Sequence, residues 1–390
     1  MKHFANYFFL FLFLFSCSGN QNNFAKLFSW EKKSENKSLI FLTLSEKKIV
    51  PRLDSLFAVN VSEHGFNGSI LIARHGRIIY KRLYGVSEKK SQKLLTDSSA
   101  FQLASTSKTF TSTGILLLYE QGKISLDDSL QKFFPELPYK KITVKNLLSH
   151  RSGLPNYMYC LSDSCEQSNE PLSNDEVIDF LIKTQPEKDN FPNRKFEYCN
   201  TNYMLLGSII EKVSGMSYAD FMQKNIFSPL GMKHTHVISK AKDTLLPNDT
   251  YGYEGKKWEL VKDDFLDGTI GDKGIYSTAY DMFLFERALT LGKLLKKETL
   301  ALAYTGYSHE KKGERNYGLG WRIYDRKQRD TLIYHNGWWH GFVTAFVRRL
   351  SDQTVIIVLS NNFQKGSFYI YQILNIVDGL PPNGVAVDED

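Results

Sequence analysis

A chain of 390 residues with 42% apolar, 14% aromatic and 23% charged residues is composed like a globular protein, with length enough for two or three domains. That excludes collagen-like, coiled-coil and wholly disordered chains, and four cysteines are too few for a disulfide scaffold. The net charge is +7, but the lysine pairs, from Lys32-Lys33 to Lys311-Lys312, are spread along the whole chain. They read as a soluble basic surface, not as a nucleic-acid site, which would gather its charge on one element.

Residues 1 to 17 (MKHFANYFFLFLFLFSC) set Lys2 before an unbroken apolar run from Tyr7 to Phe15. Such a run rises about 14 Å as a helix, against about 30 Å of bilayer core, so it reads as a secretory signal. Leu14-Phe15-Ser16-Cys17 resembles the cleavage box of bacterial lipoproteins. The resemblance implies that Cys17 becomes the lipidated first residue and anchors an exported chain to a bacterial membrane, in the cell envelope or periplasm. Residues 18–50, rich in Asn, Ser and Lys, read as a tether. No later apolar run reaches 18 residues, so the remainder is expected in an aqueous, oxidising compartment. There Cys160 and Cys165 form a candidate loop-closing disulfide, which leaves Cys199 unpaired.

Residues 51–378 form the expected domain, followed by a solvated tail over 379–390. Alternation on both sides of His75-Gly76 predicts a β-hairpin from Gly68 to Gly85. A helix over Thr109 to Glu120 is closed by Gly122. The middle is mostly helical, with 3.6-residue periodicity over Val177–Thr184, Tyr203–Val213 and Tyr218–Ile226, and Ser277 caps a helix over Ala279–Leu291. Strands return at Gly318–Tyr324, Thr331–His335, Phe342–Leu350 and Thr354–Ser360, before a closing helix over Tyr369–Val377. This order predicts an α+β fold: one antiparallel sheet built from both chain ends, flanked by helices, with a helical middle lobe and a cleft between them.

The common hydrolase, nucleotide and metal motifs are absent: no Gly-x-Ser-x-Gly, His-Glu-x-x-His, Walker loop or dinucleotide fingerprint occurs. The close histidine pairs, His234/His236 and His335/His340, have no carboxylate or cysteine beside them in the chain, so neither metal nor cofactor is expected. Ser-x-x-Lys occurs eight times, but only Ser105 and Lys108 follow an apolar FQLA and enter an apolar helix. Residues three apart share a helix face, so Lys108 can stand over the Ser105 hydroxyl. A serine needs such a base to become a nucleophile, and a helix N-terminus favours a developing oxyanion. Tyr198-Cys199-Asn200 precedes another helix, where Tyr198 can relay a proton and Asn200 can hold Lys108 and a substrate amide. His335-Asn336-Gly337 is the chain's single His-x-Gly and follows a strand, where a glycine admits a substrate backbone.

Ser-x-x-Lys, Tyr-x-Asn 93 residues later and His-x-Gly 137 further on resemble the serine β-lactamase and penicillin-binding-protein superfamily, in its class C and D-alanyl-D-alanine carboxypeptidase branch. FQLASTSK, LLSHRSGLP, PLGMKHT and GDKGIYST agree with it, over about Pro51 to Val377. The resemblance implies a β-lactamase/transpeptidase-like fold, Ser105 as acylated nucleophile and Lys108 with Tyr198 as acid/base pair. It also implies Asn200, His335, Gly337 and Trp338 as substrate-binding residues, with the N–H groups of Ser105 and Trp338 as oxyanion hole. HNGWWHGF departs from the pattern, since Trp338 and Trp339 should narrow the cleft or form a stacking wall. No Glu-x-x-Leu-Asn appears, so vigorous penicillin hydrolysis by that route is not expected.

The expected activity is thus a serine hydrolase acting on a small-molecule or peptide amide or ester: a D-amino-acid peptide, peptidoglycan fragment, β-lactam or small ester. A catalytically idle penicillin-binding-like lipoprotein that senses peptidoglycan or a protein partner is the second reading. The substrate and the oligomeric state stay open in the sequence.

Overall fold

The computed structural model describes residues 43–165, 170–310, 313–326, 329–363 and 369–382. Cys17 with its signal, nearly all of the tether, the acidic end and the Cys165 side chain lie outside them, and with these the expected lipidation and the Cys160–Cys165 pairing. Helix α1 (Leu44–His64) precedes the predicted hairpin, β1 (Gly68–Arg74) and β2 (Arg77–Tyr84). His75 and Gly76 both have positive φ, 50° and 74°, the conformation that a two-residue hairpin turn requires. Helices α2 (Ser107–Glu120), α3 (Asn200–Ser214) and α4 (Ala279–Thr290) follow. The chain then runs through β3 (Arg315–Tyr317), β4 (Arg322–Arg326), β5 (Asp330–Trp339), β6 (Phe342–Arg349) and β7 (Thr354–Ser360) into α5 (Ile370–Val377).

These strands form one antiparallel sheet in the order β3-β4-β5-β6-β7-β1-β2, joined where Gly68 pairs with Ser360. Both chain ends build it, as the order of elements predicts. One face receives α1 and α5: Leu53, Phe57, Ile373 and Leu374 close over Ile70, Ile72, Val347, Ile356 and Val358. Each such buried side chain contributes about 1.5–3 kcal/mol. The other face takes α4, whose Phe285 stacks on Phe110 of α2 at 4.0 Å and leans on Phe346.

Several boundaries differ from the sequence reading. The folded domain starts before Pro51, because α1 opens on a capping box between Thr43 and Glu46 and buries Ile49. The polar run SEKK and the interior Pro51 hide this helix from a periodicity reading. Thr278, not Ser277, caps α4 by accepting from the Asp281 N–H at 3.1 Å. The helix from Tyr218 ends at Met222 and continues as a single π turn over Gln223–Phe227. Gly318 to Gly320 form a bend whose N–H groups donate to Trp321, Ala303 and Leu148, so the strand starts only at Arg322. Finally, β5 passes through His335 and continues to Trp339.

Candidate active site

Phe101-Gln102 pairs with Tyr276-Ser277, and Ala104–Thr106 make one 3₁₀ turn that runs into α2. Ala104 sits at φ 49°, where an L-residue costs about 1–2 kcal/mol, and the strain falls on the residue before Ser105. Helix α2 is buried through most of its length, and its hydroxyls tie it down: Thr111 donates to Gly271 O at 2.6 Å and Ser112 to Leu319 O at 2.6 Å. On this fixed helix Lys108 is fully buried, and its Nζ donates to Ser105 Oγ at 3.1 Å, Asn200 Oδ1 at 2.8 Å and the Asp272 carbonyl at 2.8 Å. A neutral amine has two N–H groups and one lone pair. With the N–H groups on Asn200 and Asp272, the lone pair is directed at the Ser105 hydroxyl.

The turn ahead of α3 supplies Tyr198 and Asn200. Its shape is set by His150, whose Nδ1 accepts from the Cys199 N–H at 3.2 Å and stands 3.1 Å from Asn202 Nδ2. The His150 ring lies 4.3 Å from that of Tyr198. Burial first, then the charges of Lys108 and Arg322, hold His150 well below the usual histidine range, so it is neutral. Cys199 is buried, which pushes its thiol up to about 12 and leaves it a poor target for oxidation. Lys108 Nζ stands 5.1 Å from the Tyr198 ring centroid, while the Tyr198 hydroxyl is buried with no hydrogen-bond partner among the described residues. Leaving such a group unpaired costs about 1–3 kcal/mol, so it is poised to receive a partner atom.

Strand β5 forms the opposite wall. It pairs with β4 only from Asp330 to Tyr334 but with β6 out to Trp339, so His335 to Trp339 keep one strand edge unpaired among the described residues. The sequence reading has His335 meeting substrate directly, and the structure corrects this. The ring is fully buried, with Nδ1 at 2.7 Å from the Asn336 carbonyl and Nε2 at 3.1 Å from the Tyr317 hydroxyl. Burial and then the Arg322 and Lys108 charges keep it neutral. Gly337 is also explained differently. A Cβ there would lie 2.3 Å from the Leu103 carbonyl and 2.4 Å from Thr344 Oγ1, so the missing side chain makes room for the nucleophile turn itself. Trp338 is 57% exposed, whereas Trp339 is buried.

Four residues of the site escaped the sequence reading. Tyr317 links His335 to Tyr198 and His150 through ring contacts. Arg322 lies over the Tyr198 ring at 5.3 Å with no carboxylate paired to it among the described residues. Asp272 and Lys273 lie within GDKGIYST but were read only for their family agreement. Lys273 donates to Tyr157 OH at 2.7 Å, Thr269 Oγ1 at 2.6 Å and Asp272 Oδ2 at 3.3 Å. Burial lowers its pKa and the Lys108 charge adds to this, against the pull of Asp272 and Asp267.

Past Trp339, the fold supplies His340 with the carboxylates that its sequence neighbours lack: Asp267 at 3.0 Å from Nδ1 and Asp264 at 3.5 Å from Nε2. The three donor atoms lie within 4.8 Å of one another, but the two carboxylates address different ring nitrogens, the arrangement of a doubly bonded imidazolium. Burial opposes that charge, and the two aspartates nevertheless push His340 up to about 9.

Comparison with known proteins places this geometry. The family model described as Beta-lactamase matches residues 53–379. Penicillin-binding protein 4* of Bacillus subtilis is 33% identical over 321 residues, 79% of this chain and 71% of that protein. A D-aminopeptidase of Brucella anthropi is 24% identical over 333 residues, 83% of this chain and 62% of its own length. The octameric penicillin-binding protein homologue of Pyrococcus abyssi superposes with a TM-score of 0.74 at 28% identity, over 85% of this chain and 78% of that one.

Proposed function

This chain belongs to the beta-lactamase family of serine hydrolases, and we propose that it forms an acyl-enzyme at Ser105 on an amide substrate that carries a carboxylate. The observation that carries this reading is the three-way hold on Lys108 Nζ by Ser105, Asn200 and Asp272. Lys108 takes the Ser105 proton as Oγ attacks the substrate carbonyl, and the N–H groups of Ser105 and Trp338 receive the oxyanion. The C–N bond then breaks, and the departing nitrogen takes a proton from Lys108 through the unpartnered Tyr198 hydroxyl. Water attacks the ester by the reverse proton path, and the carboxylic acid product leaves with Ser105 restored.

Two features support the substrate class. The unpaired edge from His335 to Trp339 suits an extended peptide backbone. The cations Lys108 and Arg322 act on the site's two neutral histidines with no nearby acid to offset them, which favours an anionic group beside Tyr198. Together with relatives named as a penicillin-binding protein and a D-aminopeptidase, they point to a D-amino-acid peptide or peptidoglycan fragment with a free carboxylate. Export and lipid anchoring through Cys17 belong to the same proposal, and intact mass of the membrane-extracted protein tests them by the expected diacylglyceryl increment.

A fluorescent penicillin, itself a carboxylate-bearing amide, tests the chemistry. Intact mass of the soluble domain should gain one penicillin, the Ser105→Ala variant none, and the adduct should persist, because no class A deacylating motif is present. No adduct with penicillin or with a fluorophosphonate, on folded protein, would instead support the idle, peptidoglycan-sensing reading.

A further inference from the structure

Lys108 needs an acceptor behind it as well as a serine in front, and that acceptor is a main-chain carbonyl. The segment Gly271 to Ile275 runs along the nucleophile helix, joined to it at four points. Gly271 O accepts from Thr111, Asp272 O from Lys108, the Ile275 N–H donates to Ser107 Oγ, and Ile275 O accepts from the Leu103 N–H. Gly271 and Gly274 stand at φ 93° and 92°, and a Cβ on Gly271 would lie 2.5 Å from the Tyr203 carbonyl. The peptide carrying the Asp272 carbonyl therefore lies between two glycines, and such peptides rotate easily unless something fixes them.

A buried polar cluster supplies the fixation. The Asp272 side chain receives Tyr157 OH at 2.8 Å, Lys273 Nζ at 3.3 Å and Thr269 Oγ1 at 3.3 Å. Lys273 completes its donors on Tyr157 and Thr269, with its ammonium 4.8 Å from the Trp339 ring centroid. Lys273, Asp272 and Tyr157 are all buried, and neither Lys273 nor Tyr157 bonds to Ser105, Tyr198 or Asn200. A buried ion pair seldom adds much stability over an apolar replacement, but it fixes geometry.

We propose that Lys273, with Tyr157, is a positioning residue for the nucleophile: it locks the Asp272 side chain, so that the Asp272 carbonyl holds Lys108 with its lone pair on Ser105. This inference rests on the hydrolase reading above. Loosening the lock lets Lys108 turn away from Ser105 without altering the strand edge, Arg322 or Trp338, where substrate would bind.

The test is inactivation by a fluorophosphonate, in which Ser105 Oγ attacks phosphorus and fluoride leaves, followed by intact mass and kinetics. Lys273→Met should lower the limiting rate of inactivation about ten- to a hundred-fold, while the half-saturating probe concentration stays within about two-fold. Tyr157→Phe keeps both charges and removes only the hydroxyl, and should lower the limiting rate in the same sense by a smaller factor. Asp272→Asn with Lys273→Met in one chain should not recover the rate, because neither amide nor thioether restores the lock. A limiting rate within two-fold of wild type in folded Lys273→Met overturns the inference, as does an unchanged rate in Tyr157→Phe if Lys273→Met does not fold. A wild type that the probe leaves unlabelled overturns the hydrolase reading and this inference with it. A labelled wild type beside an unchanged variant overturns this inference alone.

Discussion

Lys108 and Lys273 are both buried and both place their ammonium on three acceptors, yet the two regions treat the group in opposite ways. The acceptors of Lys108 are a hydroxyl, a carboxamide and a carbonyl, none of them charged. Those of Lys273 include the Asp272 carboxylate. Asp272 serves both, with its main chain turned to one lysine and its side chain to the other. A lysine given no counter-charge can exchange a proton with its neighbour, whereas one given a carboxylate is committed to structure.

The comparison breaks most sharply at the two lysines themselves. Lys108→Met should cut penicillin acylation by about a thousand-fold or more, with thermal stability equal to wild type or higher, since the variant removes a buried charge that has no partner ion. Lys273→Met leaves the Asp272 carboxylate buried and unpaired, and should cost about 3 kcal/mol of stability. Denaturant melts of the two variants side by side check the contrast, and equal losses would refute it.

The histidines of β5 sharpen it further. His340 is pushed up to about 9, above the ordinary value near 6.5. Its proton thus stabilises the fold fully below about pH 6.5, and that contribution fades as pH rises through about 9. The full effect is about 2–3 kcal/mol. His150 and His335 are held below 6.5, so the unfolded chain takes up protons that the native chain refuses, and stability falls as pH drops below about 6.5. Melting temperature against pH should therefore fall on both sides. His340→Gln should flatten the alkaline side and leave the acid side unchanged.

The smallest expected effect concerns Tyr198. Because its hydroxyl has no partner among the described residues, Tyr198→Phe should leave stability within about 0.5 kcal/mol of wild type while slowing acylation about ten- to a hundred-fold. A large loss of stability would mean that the hydroxyl has a structural role.

Ser105, Lys108 and Asn200 were legible as a group in the sequence, because a three-residue step on a helix and a short motif before another helix are local facts. Arg322 and Tyr317 were not, because nothing in GLGWR or RNYG signals that a bend at Gly318 to Gly320 brings both beside Tyr198. Gly337 was singled out correctly and explained wrongly: the reason for a glycine there is the Leu103 carbonyl, more than two hundred residues away in the chain. His340 read as ligand-free for the same reason, since Asp264 and Asp267 reach it only through the fold.

The sequence by itself determined the α+β architecture, the antiparallel sheet made from both chain ends and the family, since periodicity, turn residues and motif order are written along one dimension. Which side of β5 stays open, which histidine is charged, and which of two buried lysines faces a carboxylate were decided by tertiary structure. Each depends on the burial and electrostatic surroundings of a group, and those are set by atoms that the chain brings near only when it folds.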